Sequence, residues 1–269
     1  MFHEILSIIG DCAGKNFDEV CRELEACVNS GYDFAATLRQ TSIIPEYLPH
    51  DSTEEKLFSK ASDMVLARAF RELGLKSAAL KERGDSADVL AASKYFGYSL
   101  VADAKAFRLS RTAKNQKDFK VSALSGWRKD NDYAVLCAPY FQYPGRSSQI
   151  YAQALTHNVC LLSWEHLAFM IDNSIEESPN LNLAYVWSFC ENFSHSVTVS
   201  SMKNNFLSEF NCFIESFFNV KPEVFEESLG VQVSAIIQRS MQEKSSGWTK
   251  LQQSGAILAN RPLMSLSPP

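Results

Sequence analysis

The chain has 269 residues, of which 46% are hydrophobic and 21% charged, and its formal net charge is −5. This length and apolar content suit one large domain, or a core domain with a helical appendage, and they argue against a disordered chain. No stretch has the length and apolarity of a signal peptide or a membrane span. The seven cysteines form no CxxC pair, which is typical of reduced thiols, so we expect a cytoplasmic protein with no membrane partner.

The first third of the chain has the pattern of helices. Residues 18–36 and the region around Leu38 are predicted as short helices with a partial apolar stripe. A longer helix is predicted over 52–73, where apolar residues recur every four positions and Gly74 follows as a stop. A turn at 84–86 then leads into the first strand.

Two short apolar runs, 88–93 and 98–107, are predicted as antiparallel strands joined by a four-residue turn. Counting back along the ladder from that turn places Asp88 opposite Asp103. Side chains alternate between the faces of a strand, so Lys105 shares a face with Asp103. The hairpin therefore predicts one patch that holds two carboxylates and a lysine.

Two carboxylates a few ångströms apart repel each other, and each needs a proton or a cation. A divalent metal satisfies both, and Mg²⁺ suits oxygen ligands while taking only one or two carboxylates from the protein. We therefore predict Asp88 and Asp103 as metal ligands, and Lys105 as the cation beside the phosphate in the transition state. The alternative is a surface hairpin with an ordinary ion pair between Asp103 and Lys105.

The helix before the hairpin starts at Ser52-Thr-Glu-Glu55, which fits a capping box. There Ser52 accepts an amide hydrogen bond and Glu55 reaches back to the cap. Glu55 has a second possible role, as an outer-shell contact to the metal site, if the helix start points at the hairpin.

A basic segment follows the hairpin at once. Residues 104–129 contain eight basic residues and one acidic residue, for a local charge of +7, so the rest of the chain sums to −12. The basic residues are Lys105, Arg108, Arg111, Lys114, Lys117, Lys120, Arg128 and Lys129. A concentrated positive segment beside a carboxylate cluster predicts a bound polyanion, and we expect Arg108 and Arg111 to contact phosphates.

The middle of the basic segment, Lys114-Asn-Gln-Lys-Asp118, carries donors and acceptors suited to base edges. Asn115 or Gln116 suits adenine, Lys117 suits guanine, and Asp118 can accept from cytosine. The segment therefore predicts contact with double-stranded DNA. The alternative is a solvated charged loop before a helix.

The sequence after the basic segment predicts an α/β core. A helix over 116–129 precedes a strand at 133–138, and a helix at 147–156 separates this strand from the next, at 159–163. A βαβ unit requires parallel strands, so the fold class is a mixed β-sheet flanked by helices on both faces. A further helix is predicted at 164–171.

Beyond Pro179 the composition changes to long helical patterns at 201–219 and 222–242, and the tail 255–269 is weakly ordered by composition. We therefore predict a core at 1–175 that includes the N-terminal helices. The second part, 176–269, is predicted as a helical region packed on the core or on a dimer partner.

Five stretches resemble a known family: 53–61, 100–121, 133–136, 141–144 and 163–167. They are similar to the HindIII family of type II restriction endonucleases, which belongs to the PD-(D/E)xK nuclease superfamily. The resemblance runs from about 43 to 167 and is most specific around the second strand of the hairpin.

The resemblance implies a restriction-endonuclease-like core, Mg²⁺-dependent hydrolysis with one or two ions per active site, and a homodimer that cuts a DNA palindrome. It further implies the target AAGCTT, cut after the first adenine to leave 5′-phosphate ends. Asp88 takes the family's first acidic position, Asp103 the second and Lys105 the lysine. The chain departs from the pattern at Ala87, where the family has a proline that supplies geometry and no ligand.

Two residues inside the most specific stretch have less defined roles. Asp118 and Lys120 either contact bases, which we favour, or belong to a second catalytic shell. Two other functions stay open, namely a sequence-specific DNA-binding protein that does not cleave, and a related nuclease with another target sequence.

Overall fold

The computed structural model describes residues 1–81, 86–110, 116–145, 148–194 and 199–259, without the side chains of 116, 194, 199–204, 240 and 242–259. The strands are β1 (Lys76–Ala79), β2 (Val89–Ala92), β3 (Ser99–Ala104), β4 (Tyr133–Ala138) and β5 (Val159–Ser163). Within the described residues they form one sheet in the order β1-β2-β3-β4-β5. The first three strands pair antiparallel, and β3, β4 and β5 pair parallel. The predicted mixed sheet is therefore confirmed.

The helices before the hairpin are α1 (Phe2–Gly10), α2 (Phe17–Ser30), α3 (Phe34–Thr41) and α4 (Thr53–Glu72). The middle of the chain has α5 (Gln116–Phe119), α6 (Val121–Trp127), α7 (Gln149–His157) and α8 (Trp164–Asp172). The last helices are α9 (Ala184–Trp187), α10 (Phe189–Ser194), α11 (Val199–Phe217) and α12 (Pro222–Ala259).

The hairpin of β2 and β3 has the predicted register. Val89 pairs with Ala102 and Ala92 with Ser99, which is the pairing that sets Asp88 opposite Asp103. The ladder continues past β2, because the Asp88 amide donates to the Ala102 carbonyl at 3.2 Å.

Burial differs across the sheet because the helices cover its strands unequally. β4 and β5 are buried almost throughout, as expected of strands covered on both faces, whereas β1 is half exposed. Helix α4 packs on β1, β2 and β3, while α6 to α10 contact β4 or β5. The sequence does not predict β1, because Lys76-Ser-Ala-Ala79 lacks the β-branched and aromatic residues typical of strands.

The long helix α4 ends at the predicted stop. Gly74 has φ +88°, and a Cβ there would lie 2.8 Å from the Glu177 carbonyl oxygen, so both the conformation and the space require glycine. The predicted helix at 116–129 is instead two helices, because Lys120 between α5 and α6 takes a left-handed φ of +48°. The predicted region 18–36 likewise divides at Gly31 between α2 and α3.

The helices after residue 176 pack on the same core as the sheet. Phe206, Phe210, Ile214 and Phe225 are buried in the cluster that contains the strand residues. Helix α11 contacts α7, and α12 contacts α8. This packing supports a helical region that covers the core, while the predicted division at 175 stays a prediction.

Two predicted features lie partly outside the described residues. Helix α12 continues to Ala259, so the start of the predicted tail is helical, and residues 260–269 lie outside the described part. The predicted turn at 84–86 is described only at Ser86. In the part of the chain that the structure describes, no helix combines the length and apolarity needed to cross a membrane.

Candidate active site

The hairpin brings Asp88, Asp103 and Lys105 together. Asp103 lies on β3 and is fully buried, and Asp88 precedes β2 at the facing position. Lys105 follows the last residue of β3, and its Nζ lies 2.6 Å from Asp103 Oδ2. The patch predicted from alternation along the strands is therefore present, in a mostly buried setting.

The charges of this patch are incompletely compensated. Burial raises the pKa of Asp88 to about 7, and the facing Asp103 carboxyl adds to the shift, while Lys105 and Lys60 oppose it. Both carboxylate oxygens of Asp103 are buried, and the single ammonium of Lys105, 2.6 Å from Oδ2, lies beside two facing carboxyls. A buried carboxylate in this state favours a further cation.

A third carboxyl lies near the pair and does not follow from the hairpin pattern. Asp63 on α4 is 6% exposed, and its Oδ2 is 3.5 Å from Lys60 Nζ. Burial raises the pKa of Asp63 well above its usual value, and the charge of Asp88 raises it further. A signal was present in the sequence, since an aspartate in a stretch as apolar as 61–70 is unusual for a helix that packs on a sheet.

A cleft reaches this group from the surface between α2, α4 and β1. Its volume is about 920 Å³, and its lining includes Asp63, Asp88, Lys56, Lys60 and Lys81. Among the described residues no group of three or more His, Cys, Asp and Glu is placed to hold a metal with protein ligands alone. A cation there would share its shell with other oxygen donors.

Glu55 caps α4 and also binds Arg108. The Glu55 amide donates to Ser52 Oγ at 3.1 Å, as the capping box predicts. The Glu55 carboxylate accepts from the Asp51 amide at 2.7 Å, one residue before the expected Ser52, and from Arg108 Nη2 at 2.8 Å. The outer-shell role of Glu55 at a metal stays a prediction.

Arg108 differs from the exposed phosphate contact expected of it. The residue is 4% exposed, and its guanidinium donates to Glu55 and to the carbonyls of Pro45 and Glu46. The adjacent Phe107 pairs with Ile43 in an isolated parallel β-bridge, which places Arg108 next to the segment before α4. Arg108 therefore ties this segment to the end of the hairpin, and its donors point into the protein.

The predicted base-reading segment is described in part. Lys117 is exposed, Asp118 is half-buried, and Lys120 holds its ammonium 5.7 Å from the centre of the Trp127 ring. Arg111, Lys114, Asn115 and the side chain of Gln116 lie outside the described residues. The DNA contacts predicted for these residues stay predictions.

The sequence matches the model of the HindIII restriction endonuclease family over residues 1–254. The chain belongs to this family. It is 44% identical to the Type II restriction enzyme HindIII of Haemophilus influenzae over 249 residues, which cover 92% of this chain and 83% of that protein. The predicted enzyme class, a type II restriction endonuclease, is confirmed, and the similarity extends well beyond the stretch at 43–167.

Among solved structures, the chain is similar to the restriction endonuclease FokI, with a TM-score of 0.38 and 14% sequence identity. The alignment covers 65% of this chain and 33% of the FokI chain, so this HindIII-family protein spans about a third of that molecule's length.

The burial of Arg108 predicts a structural effect of its removal. We expect Arg108→Ala to lower the free energy of unfolding by roughly 2–4 kcal/mol, because Glu55 and several carbonyls lose their donor while Glu55 retains some contact with water. Denaturant unfolding measures the change, and Lys129→Ala, at an exposed basic residue, is the matched control. If Arg108→Ala instead has normal stability but binds DNA more weakly, with a shallower salt dependence, then Arg108 contacts phosphates as the sequence predicts.

The raised pKa of Asp88 predicts a pH-dependent stability in the absence of divalent metal. An acid whose folded pKa lies above its unfolded value stabilises the fold below about pH 4 and loses that contribution as the pH rises through about 7. We therefore expect the Tm in EDTA to fall mainly between about pH 4 and 7, and Asp88→Asn to flatten this fall. Glu165, whose pKa burial also raises to about 7, is present in both proteins, so the difference reports Asp88 together with its effect on the pKa of Asp63. If the Tm of the unaltered protein and of Asp88→Asn changes with pH in the same way, the raised pKa of Asp88 is contradicted.

Proposed function

We propose that this restriction endonuclease hydrolyses double-stranded DNA with Mg²⁺ at AAGCTT, after the first adenine, and leaves 5′-phosphate ends. The observation that supports this most is the buried pair of Asp88 and Asp103 beside Lys105. The target sequence comes from the similarity to the HindIII enzyme, which is 44% identical.

The residues at the site fit a divalent cation. The Asp103 carboxylate is buried beside Lys105 Nζ at 2.6 Å, and burial together with the facing Asp103 carboxyl raises the pKa of Asp88 to about 7. Mg²⁺ keeps several waters and needs only one or two carboxylates, so Asp88 and Asp103 suffice to hold one or two ions together with DNA phosphate oxygens. When bound, Mg²⁺ supplies positive charge at the scissile phosphate and lowers the pKa of a nearby water.

The chain's own side chains then have distinct tasks. Asp88 and Asp103 orient the cation, and Lys105 places an ammonium where negative charge grows on the phosphate. Water attacks phosphorus in line with the 3′ oxygen, the bond from phosphorus to that oxygen breaks, and the oxygen takes a proton. The phosphate therefore stays on the 5′ end.

We assign DNA binding to the basic segment, with one change from the sequence prediction. Lys117 and Lys120 are exposed, and together with Arg111, Lys114, Asn115, Gln116 and Asp118 they form the proposed contact surface. Arg108 is left out because its guanidinium is buried. A homodimer with a two-fold axis would match the palindrome and place one hairpin at each strand.

One variant is expected to lose cleavage of DNA while it keeps specific binding to DNA. Asp103→Asn removes a metal ligand without removing a base contact, so we expect cleavage of plasmid DNA in Mg²⁺ to be lost and specific binding in Ca²⁺ to be kept. Asp130→Asn, at an exposed acid, is the matched control and is expected to cut at the normal rate. Sequencing the ends made by the unaltered protein tests the target and the cut position. A normal rate in Asp103→Asn would show that the metal site is elsewhere.

Base reading is tested at Lys117, an exposed residue of the predicted recognition segment 114–118 whose side chain the structure describes. We expect Lys117→Ala to lose roughly 1–3 kcal/mol of discrimination at one base pair, the usual worth of a good base contact. Affinities for AAGCTT, for each single-base variant and for random DNA measure this, with Lys94→Ala, at an exposed lysine outside the basic segment, as control. Equal weakening on all sequences, with a shallower salt dependence, would mean that Lys117 contacts only the DNA backbone.

A further inference from the structure

A buried tryptophan contacts the main chain of the proposed catalytic lysine. Trp164 is the first residue of α8 and is fully buried, and its Nε1 donates to the Lys105 carbonyl at 2.8 Å. Neither the superfamily motif nor the spacing of the hairpin includes this residue.

Lys105 stands where the chain leaves the sheet. Its amide donates to the Cys137 carbonyl at 2.7 Å, which continues the parallel pairing of β3 with β4 by one residue. Its carbonyl accepts from Trp164 Nε1 on α8 at 2.8 Å. The two hydrogen bonds hold the peptide groups on both sides of the Lys105 Cα, and they thereby fix the direction in which the side chain leaves the backbone.

Trp164 is itself held firmly. Ser163 Oγ caps α8 by accepting from the His166 amide at 3.0 Å and lies 2.7 Å from His166 Nδ1. The other ring nitrogen of His166 lies 3.0 Å from Asn211 Oδ1, and the ring stacks on Phe225 at 5.1 Å. The first turn of α8 therefore contacts α11 and α12, and the indole donor has a defined position.

We propose that Trp164 is a positioning residue for Lys105, and that its indole N–H aims the lysine at the scissile phosphate. This inference rests on the proposed role of Lys105. Without the donor, the partly buried Lys105 carbonyl loses this hydrogen bond, and its peptide group is free to turn toward another partner such as water. A displacement of about 1 Å at a catalytic group can slow a reaction by about 100-fold.

The chain offers a matched pair of variants. Trp164→Phe keeps a buried aromatic ring and removes the donor to Lys105. Trp187→Phe does the same at a second fully buried tryptophan, whose Nε1 donates to Tyr98 Oη at 3.0 Å, at the opposite end of β3. The Tm of each variant, its affinity for AAGCTT in Ca²⁺ and its single-turnover cleavage rate in Mg²⁺ are measured together.

We expect both variants to lose similar stability and to bind DNA normally, and only Trp164→Phe to cut about 10- to 100-fold more slowly. Should the two variants cut at the same rate, or should Trp164→Phe lose affinity in proportion to rate, Trp164 is merely structural and the proposal fails. If Trp164→Phe does not fold, Ser163→Ala, which loosens the turn that carries the indole, must show the same selective loss of rate.

A double-mutant cycle separates this inference from the proposed function. If Trp164 acts through Lys105, then Trp164→Phe slows cleavage in the unaltered protein and has little further effect on the residual rate of Lys105→Ala. Additive losses would overturn the positioning role while leaving Lys105 catalytic. A normal rate in Lys105→Ala would instead overturn the catalytic role of the lysine itself.

Discussion

The Asp103 carboxylate is fully buried at the strand where the sheet changes from antiparallel to parallel pairing. A buried charge destabilises a protein unless a partner compensates it, and Lys105 compensates only part of this one, because Asp88 brings a second carboxyl to the same place. The stability of the fold and the proposed chemistry therefore both favour a cation beside Asp103. A slip of one residue in the hairpin would turn Asp103 and Lys105 together to the other face of the sheet, away from Asp88. The site therefore depends on the register of the hairpin.

The features that the sequence predicts well are those set by local pattern. The apolar runs at 133–138 and 159–163 give buried parallel strands because a strand covered on both faces has to be apolar throughout. The hairpin follows from its turn, since the Ser93 amide donates to the Tyr98 carbonyl at 2.9 Å and every later pair is then determined. The carboxylates and the lysine are predictable for the same reason, because alternation along a strand fixes which side chains meet.

The features that the sequence misses depend on contacts between distant segments. The apolar stretch around Asp63 marks the residue as unusual, but its place at the site depends on α4 packing on β1, β2 and β3, which the pattern inside α4 does not show. Arg108 is surrounded by basic neighbours in sequence, and local charge predicts a phosphate contact, yet the pairing of Phe107 with Ile43 places its guanidinium against Glu55. The break at Lys120 is equally hidden, since lysine is an ordinary helix residue and only the left-handed φ of +48° separates α5 from α6.

The hydrogen bond from Trp164 to the Lys105 carbonyl links the packing of the C-terminal helices to the candidate active site. Pairing of β3 with β2 and with β4 holds Asp103 on both sides. Lys105 lies past the end of β3, and its amide is bonded to Cys137, on the β4 side. A lysine side chain has many rotamers, so its direction depends on a well-held backbone. Helix α8 supplies the missing support, and α8 in turn rests on Asn211 of α11 and Phe225 of α12. One connection from the region after residue 176 to the site therefore passes through His166, whose pKa burial lowers to about 4, and the indole donor of Trp164. A perturbation of α11 or α12 then has a defined route to Lys105 that does not pass through the carboxylates.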